Sequence, residues 1–197
     1  MKKNLLFLLL PLLTLLLFRS ATAQTNITIQ PYLQNAQPNA IYILWETDTG
    51  EESIVEWGLT NALGNESVGI SYPPDSGAER VHEVALNNLN PATRYFYRVK
   101  TSDAISEIFD FKTPPLATAE APFRIVAMSD MQRDGAFPDK FQEMVEEGVL
   151  TYLEDELGGE LVDNLALVMI PGDLVVNGNN FPSWRSQFFG PSEKLFS

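Results

Sequence analysis

Apolar side chains recur at every second position through much of the first half of this chain, and that period limits its fold more than any other feature. Ile41, Ile43 and Trp45 alternate with Tyr42, Leu44 and Glu46, and Ile54-Val55-Glu56-Trp57 ends at Gly58. Successive side chains of an extended strand point to opposite faces, so a period of two sends one set to a core and the other away from it. Val81 to Leu86 and Tyr95 to Val99 are two further strand candidates, separated by Asn87-Asn88-Leu89-Asn90-Pro91, and Ile108 to Phe111 closes the series. No helical pattern interrupts them. Short strands bounded by Asn, Gly and Pro predict an antiparallel β-sandwich. Trp45 is expected in its core. His82 shares a face with Val84 and Leu86, where a single imidazole packs or caps.

The texture changes at Thr113-Pro114-Pro115-Leu116-Ala117-Thr118-Ala119-Glu120-Ala121-Pro122, whose proline and small residues read as a linker. Beyond it, Phe123 to Met128 is a largely apolar run ending at Ser129-Asp130, the pattern of a buried parallel strand. From Pro138 the apolar residues Phe141, Met144, Val145, Val149, Tyr152, Leu153 and Leu157 fall in steps of three and four. They predict an amphipathic helix that stops at Gly158-Gly159. Leu165 to Ile170 is a second buried-strand candidate, ending at Pro171-Gly172-Asp173. Strand, helix and strand in this order make a βαβ unit with parallel strands.

Parallel strands that each finish in an aspartate bring Asp130 and Asp173 to one sheet edge, where open α/β folds place their ligand crevices. If the extended geometry persists past Asp130, Gln132 faces the same side. Carboxylates converging with no lysine or arginine among them repel one another unless a cation lies between, so a divalent metal is the natural complement.

Charge and composition narrow the chemistry. The 197 residues carry 13 Lys plus Arg against 26 Asp plus Glu, for a formal charge of −13, with one histidine and no cysteine. Nucleic-acid binding, which needs clustered cations, is not expected. Thiol nucleophiles, disulfides, zinc-thiolate sites and iron–sulfur clusters are excluded together. At the N-terminus, Lys2 and Lys3 precede an apolar run from Leu5 to Phe18, followed by Arg19-Ser20 and Ala21-Thr22-Ala23. This is the pattern of a secretory signal peptide. The run is short for the roughly 20 residues that cross a bilayer, so no stable membrane anchor is expected after cleavage. The protein is expected to be secreted or periplasmic.

Leu89-Asn90-Pro91-Ala92-Thr93-Arg94-Tyr95 resembles the fibronectin type III turn in which a tyrosine hydroxyl bonds back to the turn, with Tyr95 in that position. Ser129-Asp130-Met131-Gln132 and Gly172-Asp173-Leu174-Val175-Val176-Asn177-Gly178-Asn179 resemble the first two motifs of calcineurin-like metallophosphoesterases, D-x-H and G-D-x-x. Pro31-Tyr32-Leu33-Gln34 and Phe109-Asp110-Phe111-Lys112-Thr113-Pro114 resemble the start and end of a purple acid phosphatase N-terminal domain. The chain is thus expected to divide into a signal peptide over 1–23, a β-sandwich over 24–114 that the resemblance makes fibronectin III-like, and a linker over 115–122. The first half of an α/β metallophosphoesterase sheet domain would occupy 123–197.

The same resemblance implies that Asp130 binds one metal and that Asp173 bridges two, with Gln132 lending an amide oxygen and Asn177 facing substrate. The cofactors would be two divalent or trivalent ions, iron, manganese or zinc, and the substrate a small phosphate ester. The chain departs from the family by carrying Gln132 in place of histidine and Val176 in place of the tyrosine three residues after the bridging aspartate. It lacks G-N-H-[DE] and the later histidines, including the leaving-group acid, and is therefore expected to be an incomplete chain that is inactive by itself. The alternative is a non-catalytic exported β-sandwich that serves as an adhesion or docking module. Cleavage after Ala23 predicts a mature protein beginning at Gln24. N-terminal sequencing of exported material checks this, and recovery of intact Met1 in membranes would show an uncleaved anchor instead.

Overall fold

The structure is a computed structural model that describes residues 24–75 and 77–196; the signal segment expected over 1–23 lies outside the described residues. Nine strands make up the first half: β1 (Ile27–Gln37), β2 (Ala40–Thr47), β3 (Ile54–Gly58), β4 (Asn65–Val68), β5 (Ile70–Tyr72), β6 (Arg80–Asn87), β7 (Arg94–Thr101), β8 (Ala104–Ile105) and β9 (Phe109–Lys112). They form two antiparallel sheets, ordered β1-β2-β6-β5 and β4-β3-β7-β8, with β9 also paired to β7. The alternation sets the register. Ile41 lies opposite Leu86, Ile43 opposite Val84 and Trp45 opposite His82. These side chains meet Val55, Tyr95, Tyr97, Val99 and Phe111 of the other sheet in one buried core. Gly58 ends β3 because a Cβ there would lie 1.9 Å from the Leu63 carbonyl oxygen.

Polar groups inside this core are paired, as burial requires. Trp45 Nε1 donates to Thr101 Oγ1 at 3.0 Å. His82 is fully buried, stacks on the Trp45 ring at 4.7 Å, and is hydrogen-bonded at 2.8 Å to Thr47 Oγ1 through Nε2 and to Ser53 Oγ through Nδ1. Tyr95 closes the turn expected of it, its hydroxyl accepting the Asn90 N–H at 2.9 Å.

The second half begins with β10 (Ile125–Ala127) and returns as β11 (Leu167–Met169), paired in parallel with Ile125 opposite Leu167 and Ala127 opposite Met169. Between them runs a continuous helix, α1 (140–157), assembled from Lys140–Glu143, a π-helical stretch Met144–Leu150 and Thr151–Leu157. It ends at Gly158, whose φ of +63° suits glycine. The short α2 (Leu161–Asn164) follows. The last element, α3 (181–196), joins Phe181–Trp184, Arg185–Phe189 and Gly190–Phe196.

Phe141, Val145 and Leu153 of the expected helical stripe are buried, whereas Met144, Tyr152 and Leu157 are exposed, so the apolar stripe is wider than the face that packs. The two strands are not buried as their apolar runs predict either. Ile125, Leu167 and Met169 are 46–51 % exposed, since helices cover only one face of this two-stranded sheet. A second core gathers Met131, Phe141, Val145, Phe188 and Leu195. Among the described residues, no helix is long and apolar enough to cross a membrane.

His82 gives the sandwich a defined acid response. Burial, aided by the Arg80 charge, lowers its pKa from 6.5 to about 4, so the folded state resists a proton that the unfolded chain accepts. The associated stability is complete above about pH 6.5 and is lost as pH falls toward 4, at most on the order of 3 kcal/mol. Denaturant midpoints should therefore drop over that interval. The His82→Gln protein should lack this component, and an unchanged pH slope in that variant would refute it.

Candidate functional site

Parallel pairing brings the ends of β10 and β11 to one edge, and three hydrogen bonds tie the segments that leave them. Met128 N–H donates to the Met169 carbonyl at 3.1 Å, Ser129 Oγ to the Gly172 carbonyl at 3.4 Å, and Gln132 N–H to the Asp173 carbonyl at 2.9 Å. Asp130, Gln132 and Asp173 are thereby neighbours along one rim. Both aspartates are exposed, and both are left-handed, with φ of +59° and +53°. Non-glycine residues seldom adopt this conformation, which costs roughly 1–2 kcal/mol and is concentrated at functional positions.

The left-handed turn corrects one expectation. The backbone is not extended from Asp130 to Gln132. It reverses at Asp130, sends Met131 into the second core, and leaves Gln132 half-buried with its Oε1 shielded from water and without a hydrogen-bond partner. Asn177 is exposed and shapes its own turn. Its Oδ1 accepts from Asn179 N–H, and its carbonyl accepts from Asn180 N–H, each at 3.1 Å.

The loop after Asp173 is held by α3, which the motif reading did not include. Gln187 Oε1 accepts the Val176 N–H at 3.0 Å, and Trp184 Nε1 donates to the Gly178 carbonyl at 3.0 Å. The same helix reaches the sandwich. Arg185 pairs with Glu46, whose side chain is 1 % exposed and also accepts from Thr28 Oγ1. Burial raises the Glu46 pKa by more than Thr28 and Arg185 lower it. Alternation put Glu46 on the outward face of β2, which is correct, but that face is covered. The sequence held one clue: Arg185 is the only cation between Lys140 and Lys194.

A crevice of about 960 Å³ separates the two halves, lined by Tyr32, Tyr42, Leu44, Val168, Trp184 and Phe189 among others, and neither aspartate nor Gln132 contributes to it. At the rim itself the potential metal donors are two exposed carboxylates, and Gln132, whose Oε1 is orphaned, adjoins them through its backbone bond to Asp173. Among the described residues, no three His, Cys, Asp or Glu side chains gather in a way that could hold a metal.

Comparison with known proteins bears mainly on the sandwich. Residues 28–113 match the family model described as purple acid phosphatase, N-terminal domain. Acid phosphatase type 7 of Danio rerio is 32 % identical in an 80-residue alignment that covers 37 % of this chain and 18 % of the relative, so the match spans less than a fifth of that protein. Among solved structures, purple acid phosphatase PPD1 of yellow lupin aligns over 85 % of this chain and 40 % of its own, at 16 % identity and a TM-score of 0.47. A structure of PhoD aligns over 75 % of this chain and 27 % of its own, at 15 % identity and a TM-score of 0.48.

If backbone strain fixes the rim, the residue types at 130 and 173 matter for stability in a particular order. Valine, whose branched Cβ suits a positive φ poorly, should destabilise the second half by about 1–2 kcal/mol at either position, while asparagine should cost little. Hydrogen exchange of the β10 and β11 amides reads the difference. Equal losses from valine and asparagine would show that the conformation is not the cause.

Proposed function

Taking residues 28–113 as a purple acid phosphatase N-terminal domain, we propose that this chain is the N-terminal part of an exported, metal-dependent phosphoesterase. Its sandwich braces a site begun by Asp130, Gln132 and Asp173, and its substrate is a small phosphate ester. The observation that carries the reading is the rim itself: two left-handed aspartates held side by side by the Gln132 N–H to Asp173 carbonyl bond.

The residues present fit one oxygen-ligated cation. Gln132 Oε1 is a shielded acceptor with no partner, and carboxylates with an amide oxygen suit hard divalent ions. A second ion requires donors beyond this set. Bound ions would supply Lewis acidity toward the phosphoryl oxygens and toward the attacking water. The chain's own residues would present anionic oxygen past the strand ends, keep the Gln132 backbone beside Asp173 through the burial of Met131, and hold the Asp173 loop in place. The one histidine is locked inside the sandwich and does not serve this rim as a proton donor to a leaving alkoxide.

These 197 residues should therefore bind Mn²⁺ weakly, with a dissociation constant roughly 10⁻⁴–10⁻³ M, and should not hydrolyse an aryl phosphate at an appreciable rate. Paramagnetic broadening of the Gln132 and Asp173 resonances by Mn²⁺ checks the first point. Asp173→Asn should abolish the broadening at both residues while the fold is retained. Uniform, nonspecific broadening over the acidic surface, unchanged in Asp173→Asn, would overturn the metal assignment and favour a docking module.

A further inference from the structure

Glu46 lies where sheet alternation would normally put a solvated residue, yet it is almost completely buried. Its Oε1 accepts from Thr28 Oγ1 and from the Arg185 guanidinium, with Arg185 Nη2 in direct ion-pair contact, while Oε2 has no hydrogen-bond partner. Arg185 also lies 3.7 Å from Glu79 and stacks over the Phe181 ring at 5.2 Å. A buried carboxylate served by one cation tolerates the loss of that cation poorly, so the contact adds a defined position to the aromatic packing of α3 on β1.

On the same stretch of helix, Trp184 and Gln187 reach the other way. Both reach the loop after Asp173, where they hold the Gly178 carbonyl and the Val176 N–H. Arg185 lies between them in sequence and contacts the sandwich instead. At its start the loop is tied to Gln132 through the Asp173 carbonyl. Displacing α3 moves both of its grips on the segment that follows Asp173.

We infer that Arg185 is a positioning residue: paired with Glu46, it uses the sandwich as the anchor that sets the Asp173–Asn179 loop through Trp184 and Gln187. This deepens the proposed function, and only its metal-binding consequence rests on that reading. The N-terminal sandwich is then part of the site's geometry, although none of its residues reaches the rim.

Amide exchange and the Trp184 indole N–H resonance test the inference in the whole chain. Arg185→Met keeps the aliphatic stem and removes the charge. It should speed Val176 exchange about tenfold, the scale of one lost hydrogen bond, and shift the indole resonance while β3 and β7 amides stay unchanged. Glu46→Gln should have the same effect, the double variant should be no worse than either single, and Arg185→Lys should recover part of the protection. Val176 exchange within twofold of wild type in both single variants would overturn the inference. So would equal acceleration of every amide from β10 to α3, which would mark the pair as general stabilisation. In a parallel Mn²⁺ titration, Arg185→Met should weaken the broadening at Asp173 severalfold. If Mn²⁺ broadens nothing in the wild type, the metal reading fails, and the exchange measurements still decide the positioning role.

Discussion

The second half of the chain rests on the sandwich at β1, at Glu46 of β2 and at the end of β9, and the arrangement of the candidate site follows from those contacts. Phe189 of α3 packs on Tyr32 of β1 at 4.8 Å, Arg185 meets Glu46 of β2, and Lys112 at the end of β9 bonds Asp163 of α2 at 2.8 Å. The three contacts differ in kind. The exposed lysine pair contributes little, as solvated ion pairs do. The aromatic contact buries area without fixing direction. Only the buried carboxylate imposes a position, because moving its cation leaves a desolvated charge behind.

Much of the sandwich was legible because its signals are local. Alternation at Ile41, Ile43 and Trp45 reports a half-buried strand wherever that strand lies, and the turn leading to Tyr95 contains its own hydrogen-bond partner at Asn90. Four strands escaped that reading for physical reasons. β1 spans a proline and shifts register repeatedly against β2, so no clean period survives. β4, β5 and β8 are two to four residues long and half-exposed, too short for a period to appear.

The second half was legible in outline and less so in detail. The parallel pairing of two apolar runs that each end in Ser-Asp or Gly-Asp was readable, and so was the placement of both aspartates at one edge. The turn at Asp130 was not, because a left-handed aspartate has no signature in a single sequence. The burial of Glu46 was also hidden. It depends on α3, a helix that begins more than a hundred residues later, and sheet alternation records which face a residue occupies without recording what covers that face.

A left-handed non-glycine backbone persists only where its surroundings over-determine it. At Asp130 two neighbours do so. Met131 is buried against Phe141, Val145, Phe188 and Leu195, and Gln132 N–H is committed to the Asp173 carbonyl. Relaxing Asp130 to a right-handed conformation would withdraw Met131 from that core or break the bond to Asp173, and the loss of methionine burial alone, about 1.5–3 kcal/mol, outweighs the strain. Phe188 and Leu195 belong to α3, so the packing that holds Asp130 and the grips that hold the Asp173 loop come from one helix. The two aspartates follow different strands, but their geometry is set in common by where α3 rests on the sandwich.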